Sequence, residues 1–346
     1  MIVSRLRLAN LPTPLQCVPR LGERLGIDLW VKRDDATGGP EAGNKIRKLE
    51  YLLADALDRE ADMVITCGGV QSNHARATAT LAARLGLRSL LFLRDTCLSD
   101  DDEGRGIPVR RTARSLDGNL LLDCMVGADV RLITAASYRR RHELMEEAAE
   151  GARRLGARPY VIPEGGSNGL GALGYVTAMR EVRQQLDEAS DPPFDLIVHA
   201  CGSGGTSAGV ALGAGLYGVA DASWSMAVCD DEPTFEKRIE EIMVEARQLD
   251  SELGQPCAWS VDASAKGPAY ARSSSEQRDR IIEVARLSGL ILDPVYTGKA
   301  LDGLWRHCAS GRLQDKRVLF IHTGGLPGLL AQATVMDENL RQENDE

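Results

Sequence analysis

Residues 195–209 read DLIVHACGSGGTSAG. An apolar run breaks on glycines and resumes in small helix-compatible residues, which is the grammar of strand, glycine turn and helix start. Gly202, Ser203, Gly204, Gly205 and Thr206 can there aim successive backbone N–H groups at a phosphate on the positive end of the helix. The third glycine of a dinucleotide fingerprint is replaced by Ser207, and the GK[ST] ending of a nucleoside-triphosphate loop is absent. The same grammar recurs outward from this stretch. DMVITCGG (62–69) precedes SNHARATATLAARLG (72–86), SLLFLR (89–94) and VRLI (130–133) precede helical patterns, and PYVIPEGG (159–166) ends on glycines. Short apolar runs alternating with helices predict an α/β protein with mostly parallel sheets.

At 346 residues the chain exceeds a comfortable single core, so two domains with a cleft between them are expected. A net charge of -9 argues against nucleic-acid and anionic-membrane partners, and small molecules remain. Eight scattered cysteines without CxxC or tight Cys/His spacing read as free thiols in a reducing compartment, with no metal site. MIVSRLRLANLPTPL (1–15) lacks a signal-peptide pattern and no stretch reaches the length of a membrane helix, so a cytoplasmic protein is expected. The segment from Asp95 to Asn119 joins an acidic run (Asp100, Asp101, Asp102, Glu103) to a basic one (Arg110, Arg111, Arg114) and reads as a solvated loop or lid with a short helix. The tail from Asp337 is polar and is expected to fray at its end.

Two further stretches carry chemistry. GNKIRKLEYLLADAL (43–57) sets Lys45 at the mouth of an amphipathic helix, whose positive end disfavours the ammonium form. An amine so depressed can attack a carbonyl; the alternative is an ordinary solvated lysine. CGGVQSNHARATA (67–79) presents Ser72 and Asn73 at another helix start, an arrangement suited to a substrate carboxylate or to plain helix capping. His74 beside them is by itself more ordinary than catalytic.

Taken in order, LWVKRDDATGG (29–39), GNKIRKLEY (43–51), GGVQSNHARATA (68–79), GGSNGLGALGY (165–175), GSGGTSAG (202–209), GPAY (267–270), DPVYTGKA (293–300) and FIHTGG (320–325) resemble the motif series of the D-cysteine desulfhydrase and 1-aminocyclopropane-1-carboxylate (ACC) deaminase family. The resemblance runs from about Leu11 to Leu330. It implies a pyridoxal 5′-phosphate (PLP) enzyme of fold type II, tryptophan-synthase-β-like, usually homodimeric. It also implies a larger cofactor-holding domain (1–48 and 163–346) with a smaller one inserted (49–162). Lys45 is similar to the family's Schiff-base lysine, Asn73 to the asparagine at the cofactor's phenolic oxygen, and Ser72 to the serine beside the substrate carboxylate. Gly202 to Thr206 match the phosphate cup, Tyr270 and Tyr296 the active-site tyrosines, and Lys48 the second lysine near the site. ATGGPEAGNK (36–45) and the length of the 95–119 segment depart from the family pattern.

The resemblance also bears on reaction type. In the ACC deaminases the position of Thr297 is Glu and that of Thr323 is Leu, whereas the desulfhydrases carry threonine-like residues there. A hydroxyl near the pyridine nitrogen makes a weaker electron sink than a carboxylate does. The expected reaction is therefore β-elimination from D-cysteine to pyruvate, hydrogen sulfide and ammonia, with Lys45, Ser72 and Tyr296 as proton carriers. His74, Lys48, Tyr270 and Thr297 are expected to border the substrate, and Thr323 the cofactor. ACC deamination and L-cysteate sulfo-lysis are the alternatives on the same scaffold. A nicotinamide-dependent oxidoreductase would use the glycine loop but leave Lys45 and QSN without a role, and a non-catalytic PLP-binding protein would need neither Ser72 nor Tyr296.

Overall fold

The computed structural model describes residues 3–98 and 106–342; the acidic run Asp100 to Glu103 and the last four residues lie outside them. Eleven strands fall into two sheets among the described residues. Strands β1 (Leu15–Cys17), β2 (Asp28–Lys32), β8 (Phe194–Cys201), β9 (Ala220–Ala227), β10 (Ala258–Asp262) and β11 (Arg317–Ile321) form a six-stranded sheet in the order β1-β2-β11-β8-β9-β10. Strands β3 (Met63–Gly69), β4 (Arg88–Arg94), β5 (Ile107–Pro108), β6 (Asp129–Ile133) and β7 (Pro159–Val161) form a five-stranded sheet in the order β5-β6-β4-β3-β7. Only the edge pairs β1–β2 and β5–β6 are antiparallel.

Parallel strands covered on both faces must be apolar throughout. In β8, every residue from Leu196 to Cys201 is buried, and β4 is buried from Ser89 to Leu93. The helix Gly205–Tyr217, which follows β8, is buried on all faces over its first ten residues because it runs between its sheet and the helix Gly169–Ala189. A Cβ on Gly209 would lie 2.2 Å from the Ala172 carbonyl oxygen, so glycine is what lets these two helices approach.

The Lys45 helix, Asn44–Asp58, is locked from beneath by ions. Arg47, with a fully buried side chain, donates to both oxygens of Asp34 at 2.7 and 2.8 Å and to Glu181 at 3.0 Å. Tyr175 adds a bond to Asp34 at 2.6 Å, and the buried Lys32 ammonium reaches Glu181 at 2.6 Å. Burial alone would raise the Asp34 carboxyl, but Arg47 and Lys32 pull it below its ordinary range.

Part of the charged segment is structured rather than solvated. Asp95 is buried and takes Arg114 at 2.7 Å, β5 pairs with β6, and the helix Gly118–Met125 begins with the buried Asn119. The helix Ala333–Gln342 takes in the first residues of the polar tail that starts at Asp337.

Candidate active site

The carboxyl ends of parallel strands are where α/β sheets present open turns to ligands. Here Gly68 and Gly69 end β3, Arg94 ends β4 and Cys201 leads out of β8, and all of them line one cavity of about 580 Å³. Side chains from both sheets therefore share it.

Lys45 stands in the first turn of its helix and lines the cavity, its Nζ donating to the Gly165 carbonyl at 3.3 Å. Burial lowers its pKa to about 8, against a raising influence from Glu164. Loss of solvent, rather than the helix dipole, is thus the larger cause of its depression. The preceding turn is held by backbone: Gly43 adopts φ 117°, and a Cβ there would lie 2.7 Å from the Thr323 carbonyl oxygen, to which Asn44 N–H donates at 3.1 Å. Asn44 Nδ2 also reaches Thr206 Oγ1 at 3.1 Å. The GNK, GSGGT and HTGG stretches thus meet around one lysine.

Gly202, Ser203, Gly204 and Thr206 line the cavity, with Gly204 at φ 84° turning the chain into the helix. Gly205 does not line it; its N–H is spent on Ser167 Oγ at 3.2 Å. Lys48 lies behind the same loop, its Nζ between Ser167 Oγ (3.2 Å) and the Gly165 carbonyl (3.3 Å), and it too is absent from the cavity wall. Its side chain is long enough to have reached in, but it is turned under Gly205, where a Cβ would lie 2.8 Å from Nζ. Burial first, and the neighbouring Lys45 second, push its pKa well down.

Ser72 caps the helix Asn73–Arg84, accepting from Ala75 N–H at 3.2 Å, and also lines the cavity. Capping and a ligand-facing position coexist. Asn73 lines the cavity, and its Oδ1 accepts from Asn119 Nδ2 at 3.1 Å, so Nδ2 of Asn73 is the end left to donate. His74 Nε2 bonds Thr66 Oγ1 at 2.9 Å, and Thr66 gives its own proton to the Ile162 carbonyl at 2.8 Å. The imidazole must then be the donor at Nε2. Burial and the two nearby lysines hold it neutral.

Tyr270 and Tyr296 line the cavity with their hydroxyls 2.7 Å apart. Burial pushes Tyr270 up to about 12 and Tyr296 well above its ordinary value, so both phenols keep their protons. One hydroxyl donates to the other, which leaves one proton free to donate elsewhere. Thr323 lines the cavity, but Thr297 does not, a correction to its expected place beside the substrate. The Thr297 hydroxyl donates to Asp293 Oδ1 at 2.7 Å, while Asp293 also takes the N–H groups of Val295, Tyr296 and Thr297.

Several wall residues had no motif to announce them. Arg94 lies over the rings of Tyr138 and Tyr270, 4.9 and 5.3 Å from their centroids. Glu164 is engaged by the Tyr138 hydroxyl and by Arg141 at 2.9 Å. Arg94 could have been suspected as the last residue of a parallel strand. Asn119 is brought to Asn73 by tertiary packing alone. Among the described residues no group of three His, Cys, Asp or Glu side chains could hold a metal ion, and no helix is long and apolar enough to cross a membrane.

The family model described as "Pyridoxal-phosphate dependent enzyme" matches residues 6–324. An Arabidopsis thaliana protein named bifunctional D-cysteine desulfhydrase/1-aminocyclopropane-1-carboxylate deaminase, mitochondrial, is 43% identical over 332 residues, covering 93% of this chain and 78% of its own. A crystal structure described as an ACC deaminase homologue superposes with a TM-score of 0.85 at 36% identity, covering 98% of this chain and 97% of the other. A fungal L-serine ammonia-lyase from Rhizomucor miehei shares the fold, with a TM-score of 0.64 at 18% identity over 96% of this chain and 98% of the other.

Proposed function

Because this chain belongs to the family of pyridoxal-phosphate-dependent enzymes of fold type II, we propose that it is a lyase acting on a small amino acid, with D-cysteine as substrate and pyruvate, hydrogen sulfide and ammonia as products. The observation that carries the reading is Lys45, a cavity-lining amine with its pKa lowered to about 8, sharing one cavity with a glycine loop at a helix start and with Ser72 and Asn73 at another.

The residues fit the cofactor. Gly202, Ser203, Gly204 and Thr206 offer a backbone cradle for a phosphate, and a Cβ on Gly202 would intrude to 3.0 Å from the Tyr296 ring. Bound there, PLP withdraws electrons from the substrate's Cα, which loosens the Cα proton and the β-substituent. The chain supplies the rest. Lys45 is the covalent anchor, and its amine, once released, takes the Cα proton; a pKa near 8 suits that exchange at neutral pH. Ser72 and the N–H groups at the start of its helix bind the substrate carboxylate. Asn73 donates through Nδ2 to the cofactor, and the spare Tyr270–Tyr296 proton is available to the departing group. Thr323 brings a hydroxyl to the cavity, and of the carboxylates lining it among the described residues, Glu164 and Asp230, Glu164 is already engaged by Arg141. This favours loss of a good β-leaving group such as thiol.

A second reading, ACC deamination, is favoured by the second activity in the Arabidopsis relative's name and by the likeness to the ACC deaminase homologue. The purified enzyme is tested on D-cysteine, L-cysteine, L-cysteate and ACC, with sulfide, sulfite, pyruvate and 2-oxobutyrate measured separately. Sulfide with pyruvate from D-cysteine is the expected result, and 2-oxobutyrate from ACC without sulfide from D-cysteine overturns the first reading in favour of the second.

We further read residues 1–48 and 163–346 as the cofactor-holding domain and 49–162 as the inserted one, a division in keeping with the two sheets drawing their strands from 15–32 with 194–321 and from 63–161. Eight unpaired cysteines suit a reducing cytoplasm. A homodimer is supported by exposed apolar side chains on the helix Gly118–Met125 and on the adjoining C-terminal segment, among them Met125, Leu326 and Leu330.

A further inference from the structure

Lys299 is a lysine in the wrong place by ordinary rules. It sits in the first turn of the helix Thr297–Ala309, where the dipole disfavours a cation, and it has no exposed surface. No carboxylate lies within ion-pair distance of it among the described residues. Its three N–H donors are nevertheless all spent, on the carbonyl oxygens of Lys266 at 2.6 Å, Ala269 at 2.8 Å and Val228 at 3.1 Å. A shell of backbone carbonyls is what replaces the water of a monovalent cation, whereas divalent ions call for carboxylates.

The three carbonyls come from places that matter to the cavity. Val228 follows β9 and precedes Cys229 and Asp230 on the cavity wall. Lys266 and Ala269 bracket the Gly267–Pro268 turn that leads into Tyr270, while Lys299 itself stands three residues beyond Tyr296. The ammonium thus joins the segments carrying the two tyrosines whose hydroxyls meet at 2.7 Å.

We propose that the Lys299 ammonium is a tethered monovalent cation that positions Tyr270 against Tyr296, and that removing its side chain leaves a carbonyl site that free ammonium or potassium ions can occupy. Lys299 is a positioning residue, for it touches the cavity only through the segments it holds. The kinetic part of this inference rests on the lyase reading; the ion site does not. Burial lowers the lysine's pKa to about 8, and the negative charge of Asp293 nearby offsets part of that cost.

Two holoenzyme variants test it. Lys299→Ala opens the site, and Lys299→Met keeps the volume of the stem without the charge. Both are expected to lose turnover by roughly a hundredfold, the scale of a misplaced catalytic group, mostly in kcat rather than KM. Ammonium chloride or potassium chloride should restore Lys299→Ala at least tenfold and raise its melting temperature saturably, whereas tetramethylammonium chloride at equal ionic strength does neither. The parent and Lys299→Met should respond to none of these salts. Parent-like kinetics in Lys299→Met overturn the positioning role. A Lys299→Ala melting temperature that responds equally to all three salts, or to none, overturns the ion site. The melting measurement needs no substrate, so an enzyme inert toward every amino acid tried would count against the lyase reading and leave the ion site to be decided by melting alone.

Discussion

Asn119 lies beyond every chemical motif of the sequence, yet it holds the end of Asn73 that faces away from a ligand. Its Nδ2 donates to the Gln71 carbonyl at 3.0 Å and to Asn73 Oδ1 at 3.1 Å, and its own N–H goes to Gln71 Oε1 at 2.8 Å. Asn119 is fully buried, so truncation to alanine strands two acceptors where little water reaches. Each such group costs about 1–3 kcal/mol, and because Asn73 also borders the cavity we expect the lower half of the summed range, about 2–4 kcal/mol of stability. Freed from Asn119, the Asn73 amide loses its preferred orientation, worth about 1.4 kcal/mol or tenfold in cofactor affinity or in kcat/KM. Asn119→Asp goes further, because aspartate can only accept. Asn73 must then turn its NH₂ group toward residue 119 and present an oxygen to the cavity, a loss on the order of a hundredfold or more. Fluorescence titration of the cofactor, steady-state kinetics and thermal melting together read this out. The reasoning is refuted if Asn119→Asp is no more impaired than Asn119→Ala, or if both bind and turn over as the parent does.

Other expectations follow from the same geometry. Arg47→Met leaves the buried Asp34 without its guanidinium, and Glu181 with Lys32 alone, and should cost about 3–5 kcal/mol in urea unfolding; a double variant with Asp34→Asn should be less destabilised than the sum of the singles. Lys45→Met should stabilise the cofactor-free protein at neutral pH, because the ammonium form is disfavoured on folding. The folded pKa of about 8 lies below the ordinary 10.5, so the penalty is complete below pH 8 and is relieved as pH rises to 10.5, where parent and variant should converge. Its size is at most about 3 kcal/mol, less where cavity water solvates the amine, and melting across pH 7–11 measures it. Thr297→Val removes a partner from the buried Asp293 and should cost about 1–3 kcal/mol in melting experiments while leaving substrate preference unchanged, whereas Thr323→Val should alter preference.

What the sequence made legible was local. The glycine loop at 202–206, Lys45 and the Ser72–Asn73 pair each stand where a strand ends or a helix begins, and such junctions are written in neighbouring residues. Thr297 shows the limit of that reading. It follows Tyr296 directly, but one residue of helix turns a side chain by about 100°, so the tyrosine faces the cavity while the threonine hydroxyl serves Asp293. The charged runs of the 95–119 segment make it read as a solvated loop or lid, but Asp95 is buried against Arg114 beside the paired strands β4 and β6, which the runs themselves do not reveal. Arg94, Tyr138 and Glu164 are separated by tens of residues, and only the packing of the five-stranded sheet assembles them.

The chain's charge of -9 argues against a polyanion-binding surface, yet among the described residues the cavity lining has the opposite sign. Among the described residues, Lys45, Arg94, Arg139, Arg141 and Arg238 line it against Glu164 and Asp230. Glu164 is matched by Arg141, and Arg94 rests on two aromatic faces, which hold a cation in place without cancelling its charge. Net charge is a property of the whole surface, whereas low-dielectric walls focus the field of the few groups that line a cleft. A phosphate ester and an amino-acid carboxylate are both small anions, and neither needs a basic exterior to be held. The acidic exterior and the basic cavity are therefore consistent with one another: the first disfavours extended polyanions, and the second suits two small anions side by side, as a reaction between a phosphorylated cofactor and an amino acid requires.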